Sequence, residues 1–432
     1  MTAGGTRERY ALAFAPGELG LREATESDGV WRALAAAIAA GSTLTALPRP
    51  RPSGAPAAAG SVEAALVCRP AHGLADLIPE GASWVAAADE RALGNDQSNT
   101  SVVLGERVLL KAYRRVVDGL NPDLELNAVL AEELAFPGVP RLAGYAEVVT
   151  RDGVATLAML SEFVAGAADV YESLAEQLTD WILAPGRVTV EYATEAIEDL
   201  GHLTAALHGA LARPPAGVPD LEPREATRDE IRAWGREARG RLQSAVANVD
   251  GEVAAELRRE APAIAARFSV FDALPAMPRL TRIHGDLHLG QLIHAEDGYR
   301  IVDFEGEPTR PIEERRRLDS PLRDVASMLR SVDHVGRSAR RRAERRNGGP
   351  VEQPGLDIDR WLERARERFL HGYREQLRER GVPAAIDEDL LVAFEFAKES
   401  YEFTYAARFL PDWLWAPREG MRWLVQRFGS GA

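Results

Sequence analysis

The chain has 432 residues, of which 46% are hydrophobic and 27% charged, and this balance excludes a wholly disordered protein. The formal net charge of -14 argues against a general nucleic-acid or anionic-membrane binder, since either function needs a basic surface. Cys68 is the one cysteine of the sequence, which excludes an internal disulfide and a cysteine zinc site. With no apolar run of about 18 residues and no secretory signal at residues 1–10, we expect a cytoplasmic protein.

Residues 1–90 are predicted to form an N-terminal cap that extends the sheet of the segment after it. Short strands are expected at 10–14, 44–47 and 64–69. The last two are separated by a loop rich in proline and alanine at 48–60.

Residues 91–165 are predicted to form a small lobe dominated by strands. Apolar runs at 100–104 and 108–113 flank the turn Gly105-Glu106, which is typical of a hairpin. The segment 122–135 has helical periodicity and begins with Pro-Asp, a common helix start. Two further strands are expected at 139–149 and 154–163.

Residues 166–432 are predicted to be mostly helical. The helices are expected at 170–184, 190–213, 224–246, 251–270, 321–346, 357–379 and 387–409. A β-like hairpin at 291–304 interrupts them. The arginine-rich run 337–346 is predicted to be a solvated helix end rather than a nucleic-acid contact.

All but two of the 52 basic residues are arginine, and the exceptions are Lys111 and Lys398. A GC-rich genome explains arginine on a solvated surface, where the two residue types serve similarly. A site that requires a compact ammonium does not accept a planar guanidinium in its place. Each lysine is therefore a candidate functional residue.

The densest group of chemistry-bearing residues is HGDLHLGQ, which begins at His284, followed by VDFE. We expect the predicted hairpin to bring Asp286, Gln291, Asp303 and Glu305 together. Carboxylate and amide oxygens suit Mg²⁺ that bridges phosphates. Asp286, if it is not a ligand, can accept a proton from a substrate hydroxyl.

These two motifs resemble the catalytic loop and metal-binding motif of the protein-kinase-like phosphotransferases that act on small molecules, which include aminoglycoside and choline kinases. Gln291 replaces the usual Asn of that loop and, with DFEGEP after the metal motif, is similar to the actinobacterial maltokinases. The segments NDQSNTSVVLGERVLLK, LNPDLEL, DSPLRDVASMLR and RFLPDWL extend the resemblance over residues 94–425. The implied fold is α+β and bilobal, with an antiparallel-sheet N-lobe, a helical C-lobe, an extra N-terminal cap, and the nucleotide in the cleft between the lobes.

The resemblance implies ATP and Mg²⁺ as cofactors. Asp286 matches the catalytic base, Gln291 and Asp303 match the metal ligands, and Glu305 is a further candidate ligand. His284 and His288 are alternatively a fragment of a metal-hydrolase site, but the sequence offers no further His or Cys cluster beside them. His284 is therefore predicted to support the loop.

The ATP site that the resemblance implies centres on Lys111, which matches the lysine that holds the α- and β-phosphates, with Glu125 as its helix partner. The expected phosphate-loop residues are Gln97, Ser98, Asn99, Thr100 and Ser101. The expected hinge residues, whose main chain would bind adenine, are Glu162 and Phe163.

The acceptor site is predicted on the last of the predicted long helices, 387–409. Its polar and aromatic residues recur at i, i+3, i+4 and i+7, and so share one face: Lys398, Tyr401, Glu402 and Tyr405. Such a face suits a sugar, and the alternative is a surface salt bridge beside two core tyrosines. Asp412 and Trp413 follow and are predicted to close the pocket or to anchor the C-terminus.

The sequence is compatible with several small molecules as the acceptor of the phosphoryl group. Maltokinases carry a Trp/Gln/Arg-rich segment near their N-terminus that residues 1–90 lack, which favours the glucosamine kinase branch and glucosamine 6-phosphate as product. The amine would then pair with Glu402, Glu399, Glu172 or Asp412. Maltose 1-phosphorylation is the first alternative, followed by aminoglycoside phosphorylation and a non-catalytic kinase-like binding protein. A sugar or amino-sugar partner, a monomer, and neither a nucleic-acid nor a membrane partner are expected.

Overall fold

The computed structural model describes residues 2–3, 6–7, 9–17, 20–25, 27–45, 64–94, 99–184, 186, 188–215, 218–383 and 385–429. The predicted loop 48–60, the end of the predicted strand at 46–47, and Gln97 and Ser98 lie outside the described residues. No described helix is long and apolar enough to cross a membrane.

The chain divides into two compact units. The first, called here the sheet unit, comprises Met1–Ala167 and Ala295–Arg315, and the second, the helical unit, comprises Ala168–His294 and Arg316–Ala432. The segment that carries Asp303 and Glu305 therefore belongs with the sheet unit, although the three-part division by sequence assigns it to the C-lobe. The boundaries at residues 90 and 165 stay a prediction.

The strands and helices follow in chain order. The strands are β1 Thr2–Ala3, β2 Thr6–Arg7, β3 Arg9–Tyr10, β4 Phe14–Gly17, β5 Gly20–Glu23, β6 Thr43–Thr45, β7 Ala64–Pro70, β8 Glu90–Ala92, β9 Asn99–Leu104, β10 Val108–Tyr113, β11 Arg115–Val116, β12 Leu142–Thr150, β13 Gly153–Glu162, β14 Ala168–Asp169, β15 Arg224–Glu225, β16 Arg279–Leu280, β17 Leu292–Ala295 and β18 Gly298–Ile301. The α-helices are α1 Val30–Ala39, α2 Gly73–Leu77, α3 Ala82–Ala87, α4 Pro122–Ala128, α5 Val170–Leu183, α6 Val190–Ala193, α7 Glu195–Leu211, α8 Arg228–Asn248, α9 Gly251–Arg267, α10 Ile312–Arg315, α11 Leu322–Asn347, α12 Ile358–Glu379, α13 Glu388–Phe409 and α14 Trp415–Phe428.

The sheet unit is built on an antiparallel sheet whose described strands lie in the order β6-β7-β12-β13-β10-β9-β8. Because β6 and β7 come from the predicted cap, the expectation that the cap extends the sheet is confirmed. Lys111 lies on β10, between Met159 of β13 and Ser101 of β9. This placement in the interior of the sheet fixes the backbone that carries the lysine.

Helix α1 packs on this sheet and closes its core. Ile38 and Cys68 are buried there with the apolar residues of β9, β10 and β13. A Cβ at Gly144 on β12 would meet Ile38 at 2.5 Å, so the close approach of the helix requires glycine. Burial raises the pKa of the Cys68 thiol, in keeping with a packing role.

The helical unit places long helices side by side, with α12 on α7, α13 on α8, and α11 against both α5 and α13. Polar caps mark several helix starts. Thr227 and Glu230 form a reciprocal capping box at α8, and Asp387 caps α13 by accepting the N–H of Leu390. At these two helices the predicted starts, at 224 and 387, fall within four residues of the observed ones. The predicted helix 190–213 is divided into α6 and α7 at Thr194.

The arginine-rich run at the end of α11 is a solvated helix end only in part, since Arg341, Arg345 and Arg346 are exposed but the start of the run is buried. Arg337 is buried and donates to Asp333 at 2.6 and 2.9 Å. Arg342 pairs with Glu172 at 2.8 Å, and Arg346 pairs with acidic residues of the same helix, α5. The run thus joins two helices because α5 presents carboxylates along the line of contact.

Candidate active site

Lys111 is surrounded by carboxylates within the sheet unit. Its Nζ lies 2.9 Å from Asp123, 2.5 Å from Asp303 and 2.7 Å from Glu305. Burial acts to lower the pKa of the Lys111 ammonium, but these three carboxylates outweigh burial and hold that pKa well above its usual value. The lysine is therefore a fixed positive charge, the form that binds phosphate.

Asp123, rather than the predicted Glu125, is the residue of α4 whose carboxylate bonds Lys111. Residues two apart on an α-helix point roughly 200° apart, so the two side chains cannot face one lysine together. Asp123 Oδ2 also accepts the Tyr113 hydroxyl at 3.0 Å, and Oδ1 accepts the N–H of Phe304 at 2.9 Å. The prediction of Glu125 as partner is thus corrected by two residues. This buried carboxylate ties β10, α4 and the DFE segment together.

Asp303 and Glu305 present oxygen donors beside Lys111. One oxygen from each, with one from Asp123, lies within 4.8 Å of the others, and such hard donors fit Mg²⁺ or Mn²⁺ rather than a soft metal. Asp303 has φ of 65°, a left-handed conformation that Asp adopts more readily than most residues. Burial, reinforced by the neighbouring carboxylates, raises the pKa of Glu305, and a bound cation would relieve that repulsion.

The described residues predicted for the phosphate loop lie on two different faces of strand β9. Asn99 is buried and donates to Glu305 at 2.7 Å, and Ser101 pairs across the ladder with Lys111. Thr100 lies on the opposite face of β9, because side chains alternate along a strand, and its hydroxyl accepts Arg114 Nε at 3.0 Å. Asn99 and Ser101 therefore remain candidates, while the side chain of Thr100 is directed away from Lys111.

The predicted hinge uses its main-chain N–H groups within the protein. The N–H of Glu162 donates to Arg141 at 2.8 Å, and the N–H of Phe163 donates to Arg107 at 2.9 Å. The Glu162 carboxylate also pairs with Arg141 at 2.9 Å. Adenine contacts from these two N–H groups, as predicted, would have to displace existing hydrogen bonds. The carbonyl groups of the segment are the better candidates.

In the helical unit, the loop that carries Asp286 is held on α11. Asp324 accepts the N–H groups of His284 at 2.8 Å and of Gly285 at 2.9 Å. Further along, the N–H of Leu289 donates to Ser331 at 3.0 Å. His284 is buried, and its Nδ1 accepts the N–H of Asp286 at 3.3 Å, as its predicted supporting role requires. The loop is thus fixed on both sides of Asp286.

A second polar chain supports the same anchor. His208 Nε2 lies 3.2 Å from Asp324, and its Nδ1 lies 2.9 Å from the Tyr373 hydroxyl. All three side chains are buried.

Gln291 lies half-buried in a 3-10 turn, Leu289–Gln291, and its role as a metal ligand stays a prediction.

Lys398 bridges Asp286 and Glu402. Its Nζ lies 3.1 Å from Asp286 Oδ1 and 3.0 Å from Glu402 Oε1. Burial acts to raise the pKa of Asp286, but Lys398, together with His288 and His284, outweighs burial and lowers that pKa to about 2. The helix face predicted for the acceptor is thus in direct contact with the candidate base. A surface salt bridge, the alternative for this face, does not describe a cluster whose side chains are at most 19% exposed.

Aromatic rings continue this face along α13. Lys398 Nζ lies 5.0 Å from the centre of the Tyr401 ring, and the rings of Tyr401 and Tyr405 are 6.0 Å apart. Trp413 packs edge-on against His334 at 4.9 Å, in the turn after α13. Asp412, in the same turn, is exposed.

Two of the carboxylates predicted as amine partners are already engaged. Glu399 is fully buried and lies 2.9 Å from His334. Glu172 pairs with Arg342 at 2.8 Å, on the outside of α5. Glu402 is paired as well, with Lys398 at 3.0 Å, but it is the one of these three carboxylates that lies in the cluster with Asp286. It therefore stays the preferred candidate, and the exposed Asp412 stays the alternative.

Sequence reasoning missed Asp123 and the contact between Lys398 and Asp286. The sequence offers Asp123 and Glu125 equally as partners, and only the helix rotation selects between them. The second contact joins residues far apart in the chain, but the scarcity of lysine did single out both ammonium groups. The i, i+4 spacing correctly paired Lys398 with Glu402.

The chain is similar to known proteins over most of its length. Residues 89–381 match the profile of the phosphotransferase enzyme family. The glucosamine kinase of Streptacidiphilus jiangxiensis is 33% identical over 334 residues, 76% of this chain and 72% of that protein. The glucosamine kinase of Mycolicibacterium smegmatis is 28% identical over 342 residues, 78% of this chain and 80% of that protein. A solved glucosamine kinase in complex with glucosamine, ADP and inorganic phosphate matches with a TM-score of 0.73 and 27% identity, over 97% of this chain and 88% of that chain.

Proposed function

Because the chain belongs to the phosphotransferase enzyme family, we propose that it is an ATP-dependent glucosamine kinase that forms glucosamine 6-phosphate. The likeness to a glucosamine kinase solved with glucosamine and ADP, which spans nearly the whole chain, is the observation that carries this proposal. The geometry supports it in two ways. The sheet unit holds Lys111 as a fixed cation for phosphates, and the helical unit holds the Asp286 carboxylate ionised.

In the proposed reaction Asp286 receives the proton of the acceptor hydroxyl while the γ-phosphoryl group is transferred. Lys398 occupies Oδ1 of Asp286, so Oδ2 is the proposed proton acceptor. A carboxylate with a pKa of about 2 is a weak base, which suits a loose transition state in which the proton leaves late. The main contribution of Asp286 is then to orient the hydroxyl.

Mg²⁺ would neutralise charge on the phosphate oxygens. In the sheet unit Asp303 and Glu305 are the proposed ligands, since Asp123 already accepts several hydrogen bonds. Gln291 is proposed as a further ligand from the family resemblance. Lys111 would hold the α- and β-phosphates.

A coupled ADP-release assay over glucosamine, glucose, N-acetylglucosamine, maltose and kanamycin tests the function. Glucosamine is expected to give the highest kcat/KM, and phosphorus NMR should identify a 6-phosphate product. Faster turnover of maltose or kanamycin would assign the protein to the corresponding alternative instead. No ADP release with any acceptor, from protein that binds ATP, would favour the non-catalytic alternative.

Turnover is expected to require Mg²⁺ or Mn²⁺, with no support from Zn²⁺, because the proposed donors are oxygens. Asp303→Asn should raise the Mg²⁺ concentration for half-maximal rate by at least about tenfold, since it removes a proposed ligand. The measurement is the rate against free Mg²⁺ at saturating ATP. Asp297→Asn, at an exposed carboxylate that pairs with Arg300, is the matched control and should leave the curve unchanged. An unchanged curve for Asp303→Asn, or a cation bound by His284 and His288, would contradict the assignment.

Glu402→Gln is expected to discriminate between acceptors. A charged amine would lose an ion pair, whereas a neutral sugar would lose one hydrogen bond. The ratio of kcat/KM for glucosamine to that for glucose should fall by about tenfold or more. Competition between the two sugars at fixed ionic strength measures that ratio directly.

Glu172→Gln is the control for this experiment, because Glu172 was predicted as an alternative amine partner and instead pairs with Arg342. It should leave the ratio unchanged. An equal loss for both sugars in Glu402→Gln would show that Glu402 does not recognise the amine. A changed ratio in Glu172→Gln would transfer that role to α5.

A further inference from the structure

Four side chains able to bind a metal face one another where α7 packs against α12. Glu198 and His202 are four residues apart on α7, and His371 and Glu375 are four residues apart on α12. Residues at i and i+4 share one face of a helix, so each helix contributes one carboxylate and one imidazole. None of the four belongs to the candidate active site.

Two glycines set the separation of the helices at this point. A Cβ added to Gly201 of α7 would overlap the main-chain oxygen of Phe369, and a Cβ added to Gly372 of α12 would overlap that of Glu198. Because a larger residue at either position would push the helices apart, the pair permits an unusually close approach. The backbones that carry the four side chains are therefore held at a fixed, short distance.

The donor atoms already lie near the spacing of a metal site. Glu198 Oε1 is 2.5 Å from His371 Nδ1, and His202 Nε2 is 3.0 Å from Glu375 Oε2. One donor atom each of Glu198, His371 and Glu375 lies within 4.8 Å of the others. Tetrahedral coordination at about 2.0–2.2 Å would place neighbouring donors roughly 3.3 Å apart. His202 is placed by its contact with Glu375 and lies outside that set of three, so its side chain would have to rotate toward the others to become the fourth ligand.

The surrounding charges are compatible with a divalent cation. The second oxygen of Glu198 accepts Arg368, a contact of the kind that orients a metal-bound carboxylate from outside. Asp199 lies 3.9 Å from the other nitrogen of His202 and adds a further negative charge. The site therefore offers two imidazoles and two carboxylates with a net negative surrounding.

We propose that Glu198, His202, His371 and Glu375 bind one divalent ion of the zinc class and join α7 to α12. Two nitrogen and two oxygen donors favour Zn²⁺ and similar transition ions over Mg²⁺, which prefers oxygen alone. The ion would take the place of the proton between Glu198 and His371. None of the four ligands takes part in the proposed phosphate chemistry, so the proposal does not depend on the acceptor.

The consequence of binding would be structural support. The same two helices carry His208 and Tyr373, which are bonded to each other and lead to Asp324 beneath the catalytic loop. An ion that bridges the folded helices has no equivalent site in the unfolded chain, so binding stabilises the folded protein. The expected readout is thermal stability rather than kcat.

Metal-free full-length protein titrated with Zn²⁺ by calorimetry tests the proposal. We expect one ion per chain, a rise in the unfolding temperature on adding Zn²⁺ but not Mg²⁺, and a Co²⁺ absorption spectrum typical of four ligands. His202→Ala with His371→Ala should weaken Zn²⁺ binding by at least about 100-fold, because even outer partners of a metal cost 10–100-fold when removed. Both imidazoles reach solvent, and alanine is favourable in a helix, so the double variant should fold. Circular dichroism checks that it does.

His72→Ala is the matched control, since His72 is an exposed histidine of the sheet unit that also pairs with a glutamate. It should leave zinc binding and the zinc-dependent rise in unfolding temperature unchanged. Absence of one-to-one binding at micromolar Zn²⁺ would overturn the proposal. So would full binding retained by the folded double variant.

Discussion

Asp286→Asn is expected to reduce kcat by about 10²–10⁴ while ATP binding stays nearly intact. The substitution keeps the size of the side chain and removes the oxygen that can take a proton. ATP affinity should be preserved because the residues proposed to hold phosphates belong to the sheet unit, whereas Asp286 belongs to the helical unit. Single-turnover phosphoryl transfer and nucleotide titration measure the two quantities separately. A variant that keeps more than about a tenth of the wild-type kcat would exclude Asp286 as the base.

A second arm separates loss of the base from disturbance of its neighbour. In Asp286→Asn, Lys398 keeps Glu402 but loses its contact with a carboxylate. If a misplaced Lys398 caused the defect, adding Lys398→Met should restore part of the rate. If Asp286 is the base, the double variant should be no faster than Asp286→Asn. Asp229→Asn, at an exposed residue of α8, serves as the control for an Asp-to-Asn change. It should keep the wild-type rate of phosphoryl transfer and the wild-type nucleotide affinity.

Lys111→Arg is expected to lower kcat/KM for ATP by about 10²–10³, although the charge is unchanged. The ammonium fits among three carboxylate oxygens at 2.5–2.9 Å, and a planar guanidinium is too wide for that space. Steady-state kinetics over ATP concentration show whether affinity, turnover or both are lost. Near-normal kinetics would mean that this lysine is not required as a compact cation.

The reciprocal exchange at the surface is the control. Arg69→Lys, on β7, changes a cation that pairs with Glu147 and is half-exposed. Surface ion pairs contribute little, so its kinetics and unfolding temperature should stay close to the wild type. A loss there as large as at Lys111 would show that the sheet, rather than the phosphate contact, is sensitive to such exchanges.

The long helices were predictable because their ends carry chemical signals that match their periodicity. Thr227 and Asp387 mark the starts of α8 and α13. Helix α1 was missed because it begins after Gly29, at φ of 76° and without a side-chain cap, in a part of the cap for which no element was predicted. Helix α14 was missed for a similar reason, since Leu414 before it provides no cap. Periodicity without a start signal was not enough to establish either.

The candidate site was predictable as a set of residues but not as a set of contacts. Motif spacing led to the proposed roles of Asp286 and Asp303. It could not orient α4, however, and so selected Glu125 in place of Asp123 as the partner of Lys111. The contact of Lys398 with Asp286 depends on how α13 packs in the helical unit, which no local pattern encodes. The same applies to the four residues between α7 and α12. Each helix carries one i, i+4 pair in its sequence, but nothing in the sequence shows that the two pairs face each other.

The near absence of lysine gives this protein an unusual response to amine-directed chemistry. Its only side-chain amines are Lys111 and Lys398, and both are largely buried in ion pairs at the proposed reaction residues. An acylating or reductively alkylating reagent would therefore find few side-chain amines on the surface. Because its carboxylate neighbours hold the pKa of the Lys111 ammonium well above its usual value, that lysine stays protonated and should resist such reagents until the sheet unit unfolds. Covalent labelling thus becomes a means to count unfolded chains in a mixture without measuring turnover.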